Sequence, residues 1–409
     1  MAPSTTDFLV VGGGILGLTL ALELKRRHGD CTVTLLEKER ACGMHASGRN
    51  SGVVHAGFYY TADTLKARLT REGNRQLAAY CVERGLPLDR CGKLVVARDA
   101  ADLPGLDELE RRGRANGVPL AMLSADEVRR LEPRARTYER ALFSPTTATV
   151  HPAEVVASLV AEARAAGIAV RTGVAYRGRE PRGNGVVTSA GTIDAGYLVN
   201  AAGLYADRVA RDYGFSQRYR ILPFRGRYLV AEPGTPGVRT HVYPVPALAN
   251  PFLGVHVTRG MGGALKIGPT ASPALWREQY DGWHNFRLDE CWSIATREMG
   301  MLWRDDFGFR RLALAELRTF GRRGLVRRAA ALVDGVRPAA FRHWGSTGIR
   351  AQLFDVRERR LEMDFRYEGD DRSFHVLNAV SPAFTCALPL AAYLGQRIGE
   401  RLHTMVTAS

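Results

Sequence analysis

The sequence predicts a mixed α/β (α+β) protein in which one alternating α/β domain is intertwined with a second domain built on an antiparallel sheet and helices. Three observations carry this reading. The stretch Phe8 to Glu37 reads as an apolar run, a glycine-rich turn, a helix and a second apolar run ending on an acid. Apolar strands feeding small residues and then helices recur at Tyr197 to Asp207 and from Phe374 to Leu402. Between them, Ile221 to Gly268 reads as strands with proline and glycine corners: PFRGRYLV, HVYPVP and PFLGVHVTR. The expected partition gives residues 1–85, 149–216 and 341–409 to the first domain, and residues 86–148 and 217–340 to the second.

Taken in order, the first strand runs into Gly12-Gly13-Gly14-Ile15-Leu16-Gly17. Gly12 permits the tight exit turn, Gly14 lets backbone approach a pyrophosphate, and Gly17 lets the helix pack closely on the sheet. The N–H groups at the helix start, from Ile15 onward, are then free to meet phosphates. Glu37, twenty residues after Gly17, stands where a carboxylate accepts hydrogen bonds from an adenosine ribose, with Lys38 beside it. Strand, glycines, helix, strand and acid in that order describe a Rossmann-like dinucleotide site.

The segment Cys42 to Gly57 is too irregular for a helix and too rich in polar donors for a linker, and is expected to lie along the cofactor. A helix is expected over Tyr59 to Arg84, from Leu65, Leu69, Leu77 and Tyr80, followed by a strand over Cys91 to Ala97. Helices follow at Asp107 to Gly113 and at Ala125 to Leu131, the second capped by Ser124. Phe143 to Pro152 is a turn-rich crossing into an amphipathic helix over Ala153 to Ala166, then a strand over Ile168 to Val174 and a hairpin around Gly183-Asn184-Gly185. Between Trp292 and Ala331 helices return, carrying Arg304, Arg310, Arg311, Arg318, Arg322, Arg323, Arg327 and Arg328. Ser381-Pro382-Ala383 opens the last helix, Phe384 to Leu402.

Composition sets the bounds. At 409 residues the chain exceeds one small core, and 45% hydrophobic with 24% charged residues is that of a folded protein. The N-terminal MAPSTTDF has no cationic segment followed by an apolar core, and no apolar run reaches membrane-spanning length. Six scattered cysteines without CxxC spacing fit a reducing, cytoplasmic compartment and no metal site. A net charge of +15, mostly arginine, lacks the lysine-rich arm or aromatic-basic ladder of a nucleic-acid binder, so no nucleic-acid partner is expected. Peripheral contact with the inner face of a membrane through the basic helices is the other use of that charge.

At VVGGGILGL, LLEKE and LVNAAGLYAD the chain resembles the FAD-dependent oxidoreductases of the D-amino-acid oxidase and glycerol-3-phosphate dehydrogenase superfamily. At GRNSGVVHAGFYY, CGKLVVA, PFRGRY, YPVP with PFLGVHVTR, GIRAQ and HVLNAVSPAFT it resembles, within that superfamily, the L-2-hydroxyglutarate oxidase or dehydrogenase family. The resemblance implies bound FAD, with Gly12, Gly14, Ile15 and Gly17 at the pyrophosphate, Glu37 and Lys38 at the ribose and the Val174 backbone at the adenine. It also implies Ser47, Asn50 and Ser51 toward the isoalloxazine, Ala202 and Gly203 as a second contact, and Gly348 with Ser381 to Thr385 at the flavin pyrimidine. The family usually has histidine, glutamate and asparagine where this chain has Arg49, Arg227 and Thr270, and often aspartate rather than Met363 before Asp364, departures that bear on which hydroxy acid is used.

Oxidising a 2-hydroxy acid requires a base near neutrality for the hydroxyl proton and a cation for the carboxylate. His55, in the glycine-rich segment, is the first candidate for the base and His256 the second. Arg350 is the foremost carboxylate ligand, followed by Arg225 and Arg259, with Tyr59 and Tyr243 as substrate donors. The expected reaction is FAD-dependent oxidation of L-2-hydroxyglutarate to 2-oxoglutarate, with oxygen or quinone as electron acceptor. Another hydroxylated biosynthetic intermediate, or an amine or amino acid, is the alternative substrate.

Overall fold

The computed structural model describes residues 4–246, 254–311, 313–314 and 321–406. Pro251, Phe252 and Leu253 of the PFLGVHVTR stretch, and Arg318 of the basic helices, lie outside the described residues. The chain divides into two compact units, Met1–Gly48 with Pro152–Leu222 and Arg350–Ser409, and Arg49–His151 with Pro223–Ile349.

The first unit is built around strand Ser4–Val11, whose STTDFLVV sequence ends in four buried residues. It pairs in parallel with Val33–Glu37 on one side and with Gly191–Asn200 on the other, so that Val11 faces both Leu36 and Asn200. Ala169–Thr172 extends the parallel sheet beyond Val33–Glu37, and Ser373–Asn378 pairs in parallel with the end of Gly191–Asn200. The hairpin expected at Gly183-Asn184-Gly185 joins Tyr176–Arg179 to Gly185–Thr188 as an antiparallel margin. Strands covered on both faces read as continuous apolar runs, which is why this sheet was visible in the sequence. Helix Ile15–His28 buries Leu16, Leu18, Leu20 and Leu24 and gathers Lys25, Arg26, Arg27 and His28 in its last turn, where the helix dipole favours cations. Helix Ala383–Val406 packs against it: Thr19 Oγ1 donates to the Ala387 carbonyl at 3.3 Å, and a Cβ on Gly395 would stand 2.8 Å from Glu23.

The second unit carries an eight-stranded sheet in the order His343–Trp344, Leu229–Val230, Leu265–Gly268, His256–Arg259, His241–Pro244, Lys93–Val96, Arg140–Ser144, Ala121–Ser124. The antiparallel expectation needs one correction, because His241–Pro244 and Lys93–Val96 pair in parallel. They come from separate passes of the chain, with no hairpin to reverse one against the other. Alternation sorts the two faces. Leu94, Val96, Val242, Val257 and Ile267 share a core with Leu325, Val326 and Ala329 of helix Arg322–Ala330. Lys93, His241, Tyr243 and His256 fall on the opposite face.

Residues 49–85 were expected in the first domain, and the structure places them in the second unit. Val53–Val54 pairs with Ala148–Val150, and Asn74 Nδ2 donates to the carbonyls of Val54 and Thr146 at 3.2 and 2.9 Å. The helix expected from Tyr59 starts at Leu65, because Thr64 caps it by accepting the Ala67 N–H at 3.1 Å. Ser124 and Glu127 form a reciprocal capping box on helix Ala125–Leu131, as that spacing predicts.

Candidate active site

In the first unit the glycine turn is a cradle that side chains would fill. A Cβ on Gly17 would lie 1.9 Å from the Gly12 carbonyl oxygen, and one on Gly12, at φ 116°, would lie 2.4 Å from the Ala201 carbonyl oxygen. Gly14 is the cap residue of helix Ile15–His28 and carries no capping side chain of its own. Ser47 supplies one instead, its Oγ accepting the Ile15 N–H at 2.9 Å. Glu37, buried at 7% exposure, is tied into this turn: its carboxylate accepts the Gly13 N–H at 2.9 Å and the Glu39 N–H at 2.8 Å. That bonding aims the carboxylate at the turn and leaves lone pairs for a ribose. Lys38 pairs with Glu39 and lies 5.8 Å from the Tyr205 ring centroid.

Val174 donates its N–H to the Glu37 carbonyl at 2.9 Å, so its own carbonyl is what it has to offer an adenine. Ala202 and Gly203, at φ 54°, follow the buried Asn200, whose Oδ1 accepts the Ala202 N–H at 3.1 Å and whose Nδ2 donates to the Ala206 carbonyl at 2.8 Å. Asn200 also meets His375 Nδ1 at 3.1 Å, and burial pushes that imidazole down to about 4, so it stays neutral beneath the turn. Ser381 precedes helix Ala383–Val406 and Thr385 is buried in its first turn. Arg350 is half-buried on strand Gly348–Asp355. The Ile15 N–H, expected free for phosphate, is thus taken by Ser47; a helix start without side chains of its own at the glycines, a fixed acid and backbone that tolerates no Cβ still fit a dinucleotide.

The second unit holds the other predicted residues. Asn50 accepts the Gly52 N–H at 2.9 Å and Ser51 the Val53 N–H at 3.4 Å, so both shape the turn into strand Val53–Val54. His55 follows that strand and is half-buried. A Cβ on Gly348 would lie 2.5 Å from the Arg49 carbonyl. His256 stacks on Tyr243 with ring centroids 3.7 Å apart and planes 9° from parallel. Arg259 is committed elsewhere: its guanidinium donates to Asp89 at 2.7 Å and to the Val238 carbonyl at 2.9 Å, which makes it a strut rather than a substrate ligand.

Two residues on this face escaped sequence reasoning. Lys93, wholly buried, has its Nζ 4.9, 4.7 and 4.8 Å from the ring centroids of Phe58, Tyr59 and Tyr243, with no hydrogen-bond partner for the Nζ among the described residues. Burial pushes its ammonium down to about 7. The available signal was a lysine inside the apolar run KLVV. His241 donates from Nε2 to Thr149 Oγ1 at 3.1 Å and accepts the Arg259 N–H at Nδ1, also at 3.1 Å. Burial, and then the charge of Lys93, push it down to about 3, so it is a neutral structural histidine. Tyr59 and Tyr243 are held well above the usual phenol range by burial and remain donors.

A family model described as FAD dependent oxidoreductase matches residues 7–397. The L-2-hydroxyglutarate dehydrogenase of Escherichia coli (strain K12) is 33% identical over 404 residues, 96% of this chain and 93% of that protein. The chain belongs to the FAD-dependent oxidoreductases, in the L-2-hydroxyglutarate dehydrogenase family. Mitochondrial L-2-hydroxyglutarate dehydrogenase of Homo sapiens is 32% identical over 419 residues, 97% of this chain and 89% of that protein. Among solved structures, the L-alpha-glycerophosphate oxidase of Mycoplasma pneumoniae with FAD bound has a TM-score of 0.77 at 21% identity, covering 97% of this chain and 95% of that one. Glycine oxidase from Geobacillus kaustophilus has a TM-score of 0.72 at 21% identity, with the same coverage. These two share the fold. As in its family, the cofactor of this oxidoreductase is FAD.

Two expectations follow. Gly17→Ala forces a methyl against the Gly12 carbonyl, and the purified variant is expected to lose most of its flavin absorbance at unchanged helix content by circular dichroism; full flavin occupancy would refute the cradle. Lys93 has its folded-state pKa below the unfolded value of 10.5, so the unfolded chain binds the extra proton between about pH 7 and 10.5 and stability rises with pH across that window. Relative to Lys93→Met, the wild type should gain up to about 1.4 kcal/mol per pH unit there in denaturant titrations. A difference that stays flat with pH would show that Lys93 is not buried as an amine.

Proposed function

We propose that the chain oxidises an L-2-hydroxy acid, L-2-hydroxyglutarate to 2-oxoglutarate being the first assignment. The observation that carries this is full-length similarity to L-2-hydroxyglutarate dehydrogenases, in a chain whose cradle residues fit the family's cofactor. When bound, FAD supplies the acceptor for the two electrons and the hydrogen leaving C2. The protein's own part is to hold the acid, take the hydroxyl proton and keep the reacting carbon still. Arg225, with a buried Nε that lacks a partner among the described residues, offers a fork to a carboxylate. His55, half-buried after strand Val53–Val54, takes the proton, and His256, locked against Tyr243, orients the hydroxyl.

The test is anaerobic bleaching of the flavin. L-2-hydroxyglutarate should bleach it and the D enantiomer should not; His55→Ala should slow bleaching by about two to four orders of magnitude, with a smaller loss in His256→Ala. If neither enantiomer bleaches while an amine or another hydroxy acid does, the substrate assignment fails and the fold stands.

A membrane surface is the partner we infer for helix Leu288–Arg304. Among the described residues no helix is long and apolar enough to cross a membrane. This helix buries Ile294 and Met301 yet leaves Leu288, Trp292, Met299 and Trp303 at 72, 74, 65 and 78% exposure. Their spacing of four, seven and four residues puts them on one side. Exposed tryptophans flanked by Arg287, Arg297 and Arg304, in a chain of net charge +15, match an interface rich in anionic lipid. An acceptor such as quinone would be reached there, whereas oxygen needs no such surface. Co-sedimentation with anionic vesicles should be strong, weaker with neutral ones, and reduced at least several-fold by Trp292→Ser with Trp303→Ser. Equal recovery of that variant with the vesicles would reject the surface.

A further inference from the structure

Lys93 reaches into an aromatic box on the polar face of the second unit's sheet. Its Nζ lies 4.9, 4.7 and 4.8 Å from the ring centroids of Phe58, Tyr59 and Tyr243, and Phe58 and Tyr59 stack on each other with centroids 4.4 Å apart. The side chain is wholly buried, and among the described residues its Nζ has no hydrogen-bond partner. Rings attract a cation through their quadrupoles but do not replace the water it gave up, so burial lowers the amine to about 7 and it passes between charged and neutral forms near neutrality. A methionine would fill the same box without burying a charge, so packing alone does not account for a lysine there.

Tyr243 connects this amine to a histidine. In the sheet, strand His241–Pro244 runs between Lys93–Val96 on one side and His256–Arg259 on the other. Lys93 therefore approaches the Tyr243 ring from one side and His256 from the other, the imidazole stacked 3.7 Å away with its plane 9° from parallel. These distances hold Nζ and imidazole closer together than the roughly 10 Å over which 0.1 M salt screens charge, and the ring between them is buried. The same lysine already acts on a neighbour: after burial, its charge is what holds His241 down to about 3. Among the described residues the other titratable or charged groups around the pair are Cys91, Tyr59, Tyr228 and Lys266, and Arg259 with Asp89. Burial keeps the Cys91 thiol and the Tyr59 and Tyr243 phenols uncharged, and Asp89 is matched to Arg259, so none of these groups offsets a positive charge on Lys93.

We propose that Lys93 is a positioning residue for His256: the two hold one positive charge between them across the Tyr243 ring, and an ammonium at Lys93 presents His256 to the substrate hydroxyl as a neutral imidazole. Like charges on the two sides of one buried ring oppose each other, so protonating either group makes the other harder to protonate. A neutral imidazole keeps one nitrogen as acceptor and the other as donor, which is what orienting a hydroxyl requires; an imidazolium has donors only. The inference rests on the hydroxy-acid reading for the role of His256, whereas the coupling of the two groups is measurable with no substrate present.

The experiment follows the His256 imidazole by NMR in FAD-loaded protein with isotope-labelled histidine rings, across about pH 5 to 9, its signal assigned by its loss in His256→Gln. In Lys93→Met, His256 is expected to take up its proton at a pH higher by about one unit than in the wild type, the size of a like-charge interaction at this separation. Lys93→Arg, which keeps the charge, should not show the rise. Linkage makes the effect reciprocal: in His256→Gln the Lys93 amine, followed through its labelled side chain, should gain its proton at a pH higher by the same amount, a readout that does not depend on Lys93→Met folding. Equal titration of His256 with and without Lys93, or of Lys93 with and without His256, would overturn the proposal. In anaerobic bleaching by L-2-hydroxyglutarate the acid limb of the rate profile should move up with the His256 titration in Lys93→Met; a limb that stays put while the titration moves would overturn the positioning role. If L-2-hydroxyglutarate fails to bleach the flavin while the reciprocal shift is present, the substrate reading fails and the coupled pair stands.

Discussion

The closest constraint in the first unit is backbone against backbone at the glycine turn. With the Gly12 carbonyl oxygen 1.9 Å from where a Gly17 Cβ would sit, and the Ala201 carbonyl 2.4 Å from where one on Gly12 would sit, no side chain can enter. This proximity lets helix Ile15–His28 start directly from the sheet, with its first N–H groups undistracted by side chains of their own. The bonds of Glu37 to Gly13 and of Ser47 to Ile15 then depend on that geometry, because each acts on an N–H whose direction the turn has set. A dinucleotide site follows from fixed dipoles more than from any charged side chain.

The second unit solves a different problem, that of holding charge in a folded interior. Its sheet spends one face on an apolar core with helix Arg322–Ala330 and leaves polar and aromatic residues on the other. Lys93 there has three rings around its ammonium and, among the described residues, no hydrogen-bond partner for it, an environment that offers quadrupole attraction but little solvation. Tyr243 joins that box to His256 through its stacked ring. His241 alongside is kept neutral and spends both nitrogens on hydrogen bonds. The result is a sheet face on which aromatic rings, more than carboxylates, surround the ionisable groups.

Much of this was legible in order along the chain. The parallel strands of the first unit announce themselves as continuous apolar runs, the cradle as glycines at fixed intervals, and helix Ala125–Leu131 as a Ser-x-x-Glu box. Less legible were the residues whose role depends on strands far apart in sequence. Arg259 reads as a free cation until Asp89 is brought to it. Residues 49–85 read as a continuation of the first domain until Val53 and Val54 find Thr149 and Ala148.

By itself the sequence determined the local chemistry: which turns need glycine, which strand ends on an acid, where histidines and arginines fall, and, through stretches shared along its length, the family. Only the tertiary structure decided how those residues are used. A parallel pairing of His241–Pro244 with Lys93–Val96 places a lysine beside Tyr243, and the fold brings Asp89 to Arg259. The physical reason is that dihedral preference and hydrophobic period act over a few residues. Contacts such as Lys93 with Tyr243 and Arg259 with Asp89 join segments more than a hundred residues apart, whose register no local pattern encodes.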